Sequence, residues 1–315
     1  MCCLFGFLDY RNNFNQKLKN KLISILATAC EARGTDATGV SYNYNGRLCI
    51  YKRPLAARKM KFNIPQGVNF IMGHTRMTTQ GNEKYNYNNH PFPGSVDNAE
   101  FALAHNGVLY NDTSLRRIEE LPETRIETDS YVAVQLIEKK KSLGFESLKY
   151  MAEQLQGSFT ITVMDHNNNL YFVKGDNPMC IYHYPNLGIY IYASTEEILK
   201  KTLKKIPFKF GTPLKIELTS GDIFTIDRFG RAQKTTFNTD NLFSSDYFHF
   251  PYLRYSAPVH IPSKRVNTSA NREYIEYLKS SATFYGFTED MVDEMLDEGY
   301  TTDDIEDILY CGAWR

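Results

Sequence analysis

The sequence predicts an α+β protein in which antiparallel sheets pack face to face and helices cover their outer surfaces. Short apolar segments of strand length outnumber the longer amphipathic segments, and hairpin turns join several of the short ones. The amphipathic segments fall into two clusters along the chain. With 42% hydrophobic and 23% charged residues, the composition is that of a globular chain that can bury a core.

Short apolar strands follow one another from the N-terminus to about residue 235. Tyr44-Asn45-Gly46-Arg47 and Asp165-His166-Asn167-Asn168 have the composition of hairpin turns, so most neighbouring strands are expected to be antiparallel. The strands are predicted at Cys3–Leu8, Gly39–Tyr44, Leu48–Lys52, Phe70–His74, Phe101–His105, Ser158–Met164, Leu170–Lys174, Met179–Tyr184, Gly188–Ala193, Leu214–Leu218 and Ile223–Asp227.

Four longer segments predict helices. Thr128 is expected to cap the second of these helices, with Asp129 at its positive N-terminal end and three lysines at its other end. The helices are predicted at Asn15–Ala32, Asp129–Lys141, Phe145–Leu155 and Thr195–Lys204.

The chain is expected to contain a main domain at residues 2–235 and two smaller parts. Residues 236–270 are rich in aromatic and turn residues without a steady period, which predicts an extended aromatic arm on the core. Residues 271–315 predict a small acidic helical bundle, with ten acidic and no basic residues between positions 283 and 310. These acids favour a solvated helical face. The alternative is docking on a partner or on residues 1–282, which hold 35 basic and 26 acidic residues.

Composition excludes several classes of protein. The six cysteines form no CxxC pair, so neither a zinc ribbon nor a small disulfide scaffold is predicted, and we expect reduced thiols in a cytoplasmic protein. No apolar run approaches the ~18 residues of a membrane helix, and the N-terminus lacks the basic start of a signal peptide. We expect no nucleic-acid partner and no membrane partner.

Cys2 is the first candidate catalytic residue. Removal of Met1, which precedes a small residue, would leave a thiol and a free α-amine on Cys2. An α-amine has a reference pKa of about 7.7–8.0, so it can act as a base toward that thiol, directly or through a water. For an isolated Met-Cys start, a cysteine that merely begins a buried strand is the better interpretation.

Three downstream motifs reverse that preference. Arg76 follows an apolar strand and can present its guanidinium fork to a carboxylate. The side-chain amide of Asn106 and the backbone N–H of Gly107, at the end of another strand, could donate to one developing oxyanion. Asp129, at a helix start, can pair with an ammonium group. Each motif alone has an ordinary structural explanation, such as a surface ion pair, a turn or a helix-start acid.

Together these residues resemble the class II glutamine amidotransferase domain, the N-terminal-nucleophile glutaminase of glucosamine-phosphate synthase and amidophosphoribosyltransferase. The resemblance covers about residues 2–230. In family order it runs through the segments MCCLFG, RGTDATG, GHTRMTTQG, NNHP, HNG, ETDS and GSF, which begin at residues 1, 33, 73, 88, 105, 127 and 157. It implies a four-layer αββα sandwich, the N-terminal-nucleophile hydrolase fold, here with a small C-terminal helical extension.

The resemblance also implies a reaction. Cys2 would attack the side-chain amide of L-glutamine, form a γ-glutamyl thioester and release ammonia, with its own α-amine moving the proton. Asn106 and Gly107 would hold the oxyanion of the tetrahedral intermediate. Arg76 would bind the α-carboxylate of glutamine, and Asp129 its α-ammonium group. No metal and no cofactor are implied.

Further residues receive supporting roles from the same resemblance. Thr78 and Thr79 could add hydroxyl contacts to the substrate, whereas Arg33 and Asp36 are expected to brace the site without touching glutamine. Cys3 departs from the family pattern because glycine usually follows the nucleophile; we expect it to be a packing residue.

Two other departures bear on how the domain is used. In the glucosamine-phosphate branch, Trp and His stand where this chain has Met77 and Gln80, so closure of that loop over glutamine is expected to differ. The residues after 235 are too few for a phosphoribosyltransferase domain or a sugar-isomerase pair. The ammonia acceptor is therefore expected to be a separate synthase in trans.

Two alternative functions remain open at this point. The same machinery could cleave another γ-glutamyl amide without transferring nitrogen. The chain could also be a binding or regulatory protein that has kept the fold without the activity, although the intact set of candidate site residues argues against this. Turnover of free glutamine compared with larger γ-glutamyl amides would separate the two enzymatic alternatives.

Overall fold

The structure is a computed structural model that describes residues 2–242, 275–276, 278–280, 282, 287–297, 300, 302, 305 and 308–309. The chain divides into two compact units, residues 1–244 and residues 245–315. The domain boundaries predicted at 235 and 270 stay predictions. Most of the predicted aromatic arm lies outside the described residues.

The described part of the first unit contains two antiparallel sheets. Its strands are β1 (Cys3–Asp9), β2 (Ala37–Tyr44), β3 (Arg47–Arg53), β4 (Phe70–Arg76), β5 (Phe92–Val96), β6 (Ala99–Leu109), β7 (Gly157–Asp165), β8 (Leu170–Lys174), β9 (Cys180–Tyr184), β10 (Ile189–Ala193), β11 (Leu214–Ile216), β12 (Asp222–Ile226) and β13 (Ala232–Thr236). The seven-stranded sheet has the order β11-β9-β10-β1-β4-β2-β3, and the six-stranded sheet has the order β13-β12-β8-β7-β6-β5.

Helices cover both outer faces of this pair of sheets. The helices of the first unit are α1 (Gln16–Cys30), α2 (Asp112–Ile118), α3 (Tyr131–Lys139), α4 (Phe145–Gln154) and α5 (Glu196–Lys205). Helices α1 and α5 pack on the seven-stranded sheet, while α3 and α4 pack on the six-stranded sheet. The sheets contact each other through β1, β3 and β4 on one side and β6 and β7 on the other. This arrangement confirms the expected four-layer αββα fold.

Burial on both faces explains why β1 reads as a continuous apolar run. It lies between β10 and β4, with α1 on one face and the six-stranded sheet on the other, and all seven of its residues are buried. A second buried cluster lies between the six-stranded sheet and its helices. Its members include Phe101, Leu103, Phe159, Ile161, Val163, Val132, Leu136, Leu148 and Met151.

The predicted strands and the four predicted helices all appear, with ends that differ by a few residues. The hairpin turn after β2 has positive φ angles at Asn45 (51°) and Gly46 (76°), as its composition predicts. Two strands and one helix were not predicted. Strand β5 was not predicted because Pro93 and Gly94 interrupt its apolar pattern. Strand β13 is a polar strand at the edge of its sheet, and helix α2 has only seven residues, so neither has a clear hydrophobic pattern.

The second unit is described in part. Its clearest element is α6 (Glu289–Asp297), in which Val292 and Met295 are fully buried and Asp293 pairs with Lys279 at 2.7 Å. The predicted three-helix bundle stays a prediction because many of its residues lie outside the described ones. Of the helices that the structure describes, none combines the length and the apolar character needed to cross a membrane.

Candidate active site

Cys2 lies at the start of β1, beside the end of β4. The antiparallel register pairs Cys3 with Thr75, which brings Cys2 opposite the end of β4. The Cys2 Sγ atom accepts a hydrogen bond from the backbone N–H of Met77 at 3.4 Å, and the thiol can donate to the Met77 carbonyl oxygen at 3.6 Å. The residue is 9% exposed. The candidate nucleophile therefore lies against the residue that follows Arg76.

The electrostatic surroundings of Cys2 favour the neutral thiol. Burial raises the pKa of the Cys2 thiol, while the Met77 N–H and the charge of Arg76 act in the opposite direction and Asp129 raises it further. The charges of Arg76 and Asp129 therefore act on this thiol in opposite directions. A buried thiol with a raised pKa needs an adjacent base before it can attack a carbonyl carbon.

Arg76 is buried at the end of β4, with an exposed fraction of 3%. Its guanidinium donates to the side-chain oxygen of Asn89 at 2.7 Å and to the backbone oxygens of Gln80 at 2.6 Å and Gly81 at 3.5 Å. Among the described residues these bonds use three of the five N–H groups of an arginine, so two remain for a ligand. Burial lowers the pKa of Arg76, and four nearby acidic groups oppose that shift, including Asp129 and Cys2.

Arg33 and Asp36 hold the backbone around the candidate nucleophile. Arg33 Nε donates to the carbonyl oxygen of Cys2 at 2.8 Å. Asp36 accepts from the backbone N–H of Thr78 at 2.7 Å, and its own N–H donates to the carbonyl oxygen of Arg76 at 3.0 Å. Each contact fixes main chain on one side of the site, which is the geometry expected of bracing residues.

Thr78 and Thr79 follow Arg76 on the same loop. The Thr78 hydroxyl is buried and has no hydrogen-bond partner among the described residues, and Thr79 is exposed. Their contacts to a substrate stay predictions.

Asn106 and Gly107 lie inside β6, not at its end as the sequence suggested. The reason is that β6 continues to Leu109 by pairing with β7, where Gly107 lies opposite Phe159. Gly107 has φ of +151°, and a Cβ atom there would lie 1.8 Å from the Ser158 oxygen, so the position requires glycine.

The Asn106 side chain is the candidate oxyanion donor. It is 1% exposed, and within the described part of the chain neither its amide nitrogen nor its oxygen has a hydrogen-bond partner. An unpaired buried amide costs about 1–3 kcal/mol, so such a group indicates a place for a ligand or a water.

Asp129 connects β6 to the helix layer. Its side chain accepts from the backbone N–H of Leu109 at 2.7 Å and from the Ser130 hydroxyl at 3.3 Å, and it is 4% exposed. Helix α3 begins at Tyr131, so the prediction that Thr128 caps a helix from Asp129 is wrong. The reason is that the first N–H bonds of the helix run back three residues to the carbonyls of residues 128–130, and this tight turn precedes the helix.

Three buried histidines join the sheets next to these residues, and sequence reasoning did not assign them a role. His74 in β4 shares a 2.9 Å hydrogen bond with the carbonyl oxygen of His105 in β6, one residue before Asn106. The centroid of the His90 ring lies 4.2 Å from that of the His74 ring, with the two planes tilted by 35°. Burial lowers the pKa of all three, to about 3 for His74. They are therefore neutral at physiological pH.

The sequence indicated Asn88 and Asn89 only as members of a motif, without a role of their own. In the structure both are fully buried beneath the loop that follows Arg76. Asn89 accepts from Arg76 and donates to the carbonyl oxygen of Glu83 at 2.8 Å. A signal was present in the sequence, because a run of asparagines between strands is typical of side chains that bond to nearby backbone. Among the described residues, no group of three or more His, Cys, Asp or Glu is arranged to hold a metal.

Comparisons with known proteins agree with this geometry. Residues 74–201 match the family described as "Glutamine amidotransferase domain". The chain is 29% identical over 190 residues to the glutamine–fructose-6-phosphate aminotransferase (isomerizing) of Bacillus thuringiensis subsp. konkukian, and 29% identical over 195 residues to that of Staphylococcus aureus strain Mu50. Each alignment covers 58% of this chain and 30% of the relative, so the chain spans about a third of the length of these relatives.

The fold has solved counterparts. The glutamine phosphoribosylpyrophosphate amidotransferase of B. subtilis, complexed with ADP and GMP, superposes with a TM-score of 0.57 at 20% sequence identity, and the match covers 75% of this chain and 49% of that one. At this identity the similarity concerns the fold, which agrees with the two sheets and four layers described above. Residues 74–201 are therefore similar to a glutamine amidotransferase domain, and three quarters of the chain shares the fold of a solved amidotransferase.

Proposed function

We propose that the protein, after removal of Met1, hydrolyses the side-chain amide of L-glutamine and delivers the ammonia to a separate acceptor synthase. The observation that carries this proposal is the contact of the Cys2 Sγ with the backbone of Met77, directly after the buried Arg76. The names of the relatives support the substrate, since both describe enzymes that use glutamine. A reducing compartment, the cytoplasm, belongs to the proposal because the reaction needs a free thiol.

The chemistry begins with proton transfer from the thiol. The pKa of the Cys2 thiol is raised by burial, so the α-amine freed by removal of Met1 takes the proton as sulfur attacks the amide carbon. The tetrahedral intermediate collapses by breaking the C–N bond, and the protonated amine gives its proton to the departing ammonia. Water then attacks the thioester, which releases glutamate and restores the thiol.

The other site residues act on charge. The amide nitrogen of Asn106 and the N–H of Gly107 donate to the oxyanion of the intermediate, and loss of one such donor costs about 10²–10³-fold in rate. The two N–H groups of Arg76 not used by the loop bind the α-carboxylate, and Asp129 binds the α-ammonium group. Thr78 and Thr79 add hydroxyl contacts at the substrate.

The test is a comparison of substrates with the purified protein, its N-terminus verified by mass spectrometry. We expect glutamate and ammonia to be released from glutamine in equal amounts, and only by protein that begins at Cys2. Faster release in the presence of an acceptor synthase would support transfer in trans. Turnover of a larger γ-glutamyl amide together with no ammonia from glutamine would contradict the proposal and favour the amidase alternative.

A further inference from the structure

Glu127 lies two residues before Asp129 and binds the loop segment that follows Arg76. Its backbone oxygen accepts from the side-chain nitrogen of Gln80 at 3.0 Å. Its carboxylate accepts from the backbone N–H of Asn82, also at 3.0 Å. Gln80, Asn82 and Glu127 all lie outside the helices and strands. The residue therefore joins the loop that follows Arg76 to the segment that precedes Asp129.

We call the contacts between Glu127 and residues 80–82 the junction. Asn88 is fully buried and hydrogen-bonds to both sides of it. Its side-chain nitrogen donates to the Glu127 carboxylate at 2.8 Å and to the backbone oxygen of Asn82 at 3.0 Å, while its side-chain oxygen accepts from the Glu127 N–H at 2.9 Å. The contact is close, because a Cβ atom at Gly81 would lie 3.1 Å from the Cβ of Glu127. The junction leaves little room for the loop to shift.

The same loop segment is held on its other side by Arg76, which donates to the backbone oxygens of Gln80 and Gly81. The direction of the guanidinium thus depends on where these two oxygens lie. Their position depends in turn on the bonds of residues 80 and 82 to Glu127.

From this arrangement we propose that Glu127 is a positioning residue of the glutamine site, an inference that rests on the proposed function. It holds residues 80–82 so that the guanidinium of Arg76 and the carboxylate of Asp129 keep a fixed separation. That separation must match the distance between the α-carboxylate and the α-ammonium group of a free amino acid. Glu127 itself does not touch the substrate.

The proposal predicts which kinetic constant changes. Both α-groups of glutamine are bound before and during the reaction, so a loose separation weakens the ground state and the transition state alike. Glu127→Ala should raise KM for glutamine about tenfold and change kcat by less than about threefold. Glu127→Gln keeps an oxygen that can accept from both Asn82 and Asn88, so it should restore KM to within about threefold of the unsubstituted protein.

Glu123→Ala is the matched control, since Glu123 is an exposed acid on the same loop. Because the side chain of Glu127 is also exposed, its truncation leaves no core cavity, and equal thermal unfolding of all variants will verify this. An unchanged KM in Glu127→Ala, or an equal change in Glu123→Ala, would overturn the proposal. So would a fall in kcat at constant KM.

Hydrogen exchange supplies a readout that does not need activity. The Asn82 amide hydrogen is bonded to the Glu127 carboxylate, so it should exchange faster in Glu127→Ala and at the original rate in Glu127→Gln and Glu123→Ala. If the unsubstituted protein does not hydrolyse glutamine, the proposed function fails while these exchange rates still report on the junction. Equal exchange in all four proteins overturns the junction itself.

Discussion

At the scale of single residues, Cys2 and Cys3 are adjacent thiols in different surroundings. Cys3 is fully buried within β1, where its thiol can donate to the Leu4 carbonyl oxygen at 3.5 Å. Cys2 keeps an exposed fraction of 9% and faces the backbone of Met77 at the end of β4. The positions of the two residues along β1, and the pairing of β1 with β4, therefore distinguish the candidate nucleophile from the candidate packing residue.

This difference predicts opposite outcomes for two alanine substitutions. Cys2→Ala should lower kcat/KM for glutamine by about 10⁴-fold or more, because no other group replaces the nucleophile. Cys3→Ala should leave kcat/KM within about tenfold and lower the free energy of unfolding by about 1 kcal/mol through lost packing. Steady-state kinetics and urea unfolding check both. Equal losses of activity in the two variants would contradict the choice of nucleophile.

Arg76 and Asp129 are predicted to act on the charges of free glutamine. Arg76→Lys loses the two-pronged donor and Asp129→Asn loses the negative charge, so each should raise KM about 10- to 100-fold with a smaller change in kcat. Initial rates over a range of glutamine concentrations measure this. Asp97→Asn, at an exposed acid before β6, is the control. A KM that stays constant in both variants would remove these two roles.

At the scale of elements, the end of β4 is shaped by the loop between α1 and β2. Gly34 in that loop lies under the backbone of Arg76 and Met77, and a Cβ atom there would lie 2.5 Å from the Arg76 carbonyl carbon. Nothing lies within 4 Å of a Cβ atom built at Gly144, which precedes α4.

These two glycines give a matched pair of variants. Gly34→Ala must displace the end of β4, so we expect it to lower the free energy of unfolding by about 1–3 kcal/mol and to raise KM for glutamine. Gly144→Ala should change the free energy of unfolding by no more than about 0.5 kcal/mol and leave KM constant. Urea unfolding and glutaminase kinetics measure the two effects. Similar behaviour of the two variants would show that β4 does not depend on this loop.

At the scale of the whole molecule, buried histidines connect the two sheets. His74 comes from the seven-stranded sheet and His105 from the six-stranded sheet, with His90 between them. Burial lowers the pKa of His90 well below its usual value, and the nearby positive charges of Lys52 and Arg76 add to that effect. The buried interface between the sheets therefore favours the neutral form of these histidines.

A dependence of stability on pH follows from this burial. The unfolded chain binds protons on these histidines below a pKa of about 6.5, whereas folded His74 stays neutral down to a pKa of about 3. Stability is therefore greatest above pH 6.5 and falls as the pH drops toward 3. Within that window His74 contributes up to about 1.4 kcal/mol per pH unit, and the lowered pKa values of His90 and His105 act in the same direction.

Urea unfolding at pH 7.5 and pH 5.5 tests this expectation. The free energy of unfolding should decrease at the lower pH, and the decrease should be smaller in His90→Gln, which removes one of the groups protonated on unfolding. An identical decrease in the two proteins would show that His90 does not contribute.

Much of the fold could be predicted because its signals are local. A short stretch of sequence is enough to predict the apolar strand β1, the turn at Asn45-Gly46 and the amphipathic helix α1. The family resemblance assigned Cys2, Arg76 and Asp129 to one site, and their roles stay predictions; in the structure the charges of Arg76 and Asp129 both affect the pKa of the Cys2 thiol. Strand β5 was not predicted because proline and glycine interrupt its alternating pattern.

The sequence by itself determined most of the elements and indicated candidate side chains for the chemistry, because hydrophobic period, turn residues and motif order are properties of neighbouring positions. Only the tertiary structure decided that Asn106 lies inside a strand with an unpaired amide, and that Glu127 and Asn88 bind the loop after Arg76. These features depend on hydrogen bonds and burial between residues far apart in the chain. No local pattern encodes the partner of a side chain that reaches another loop.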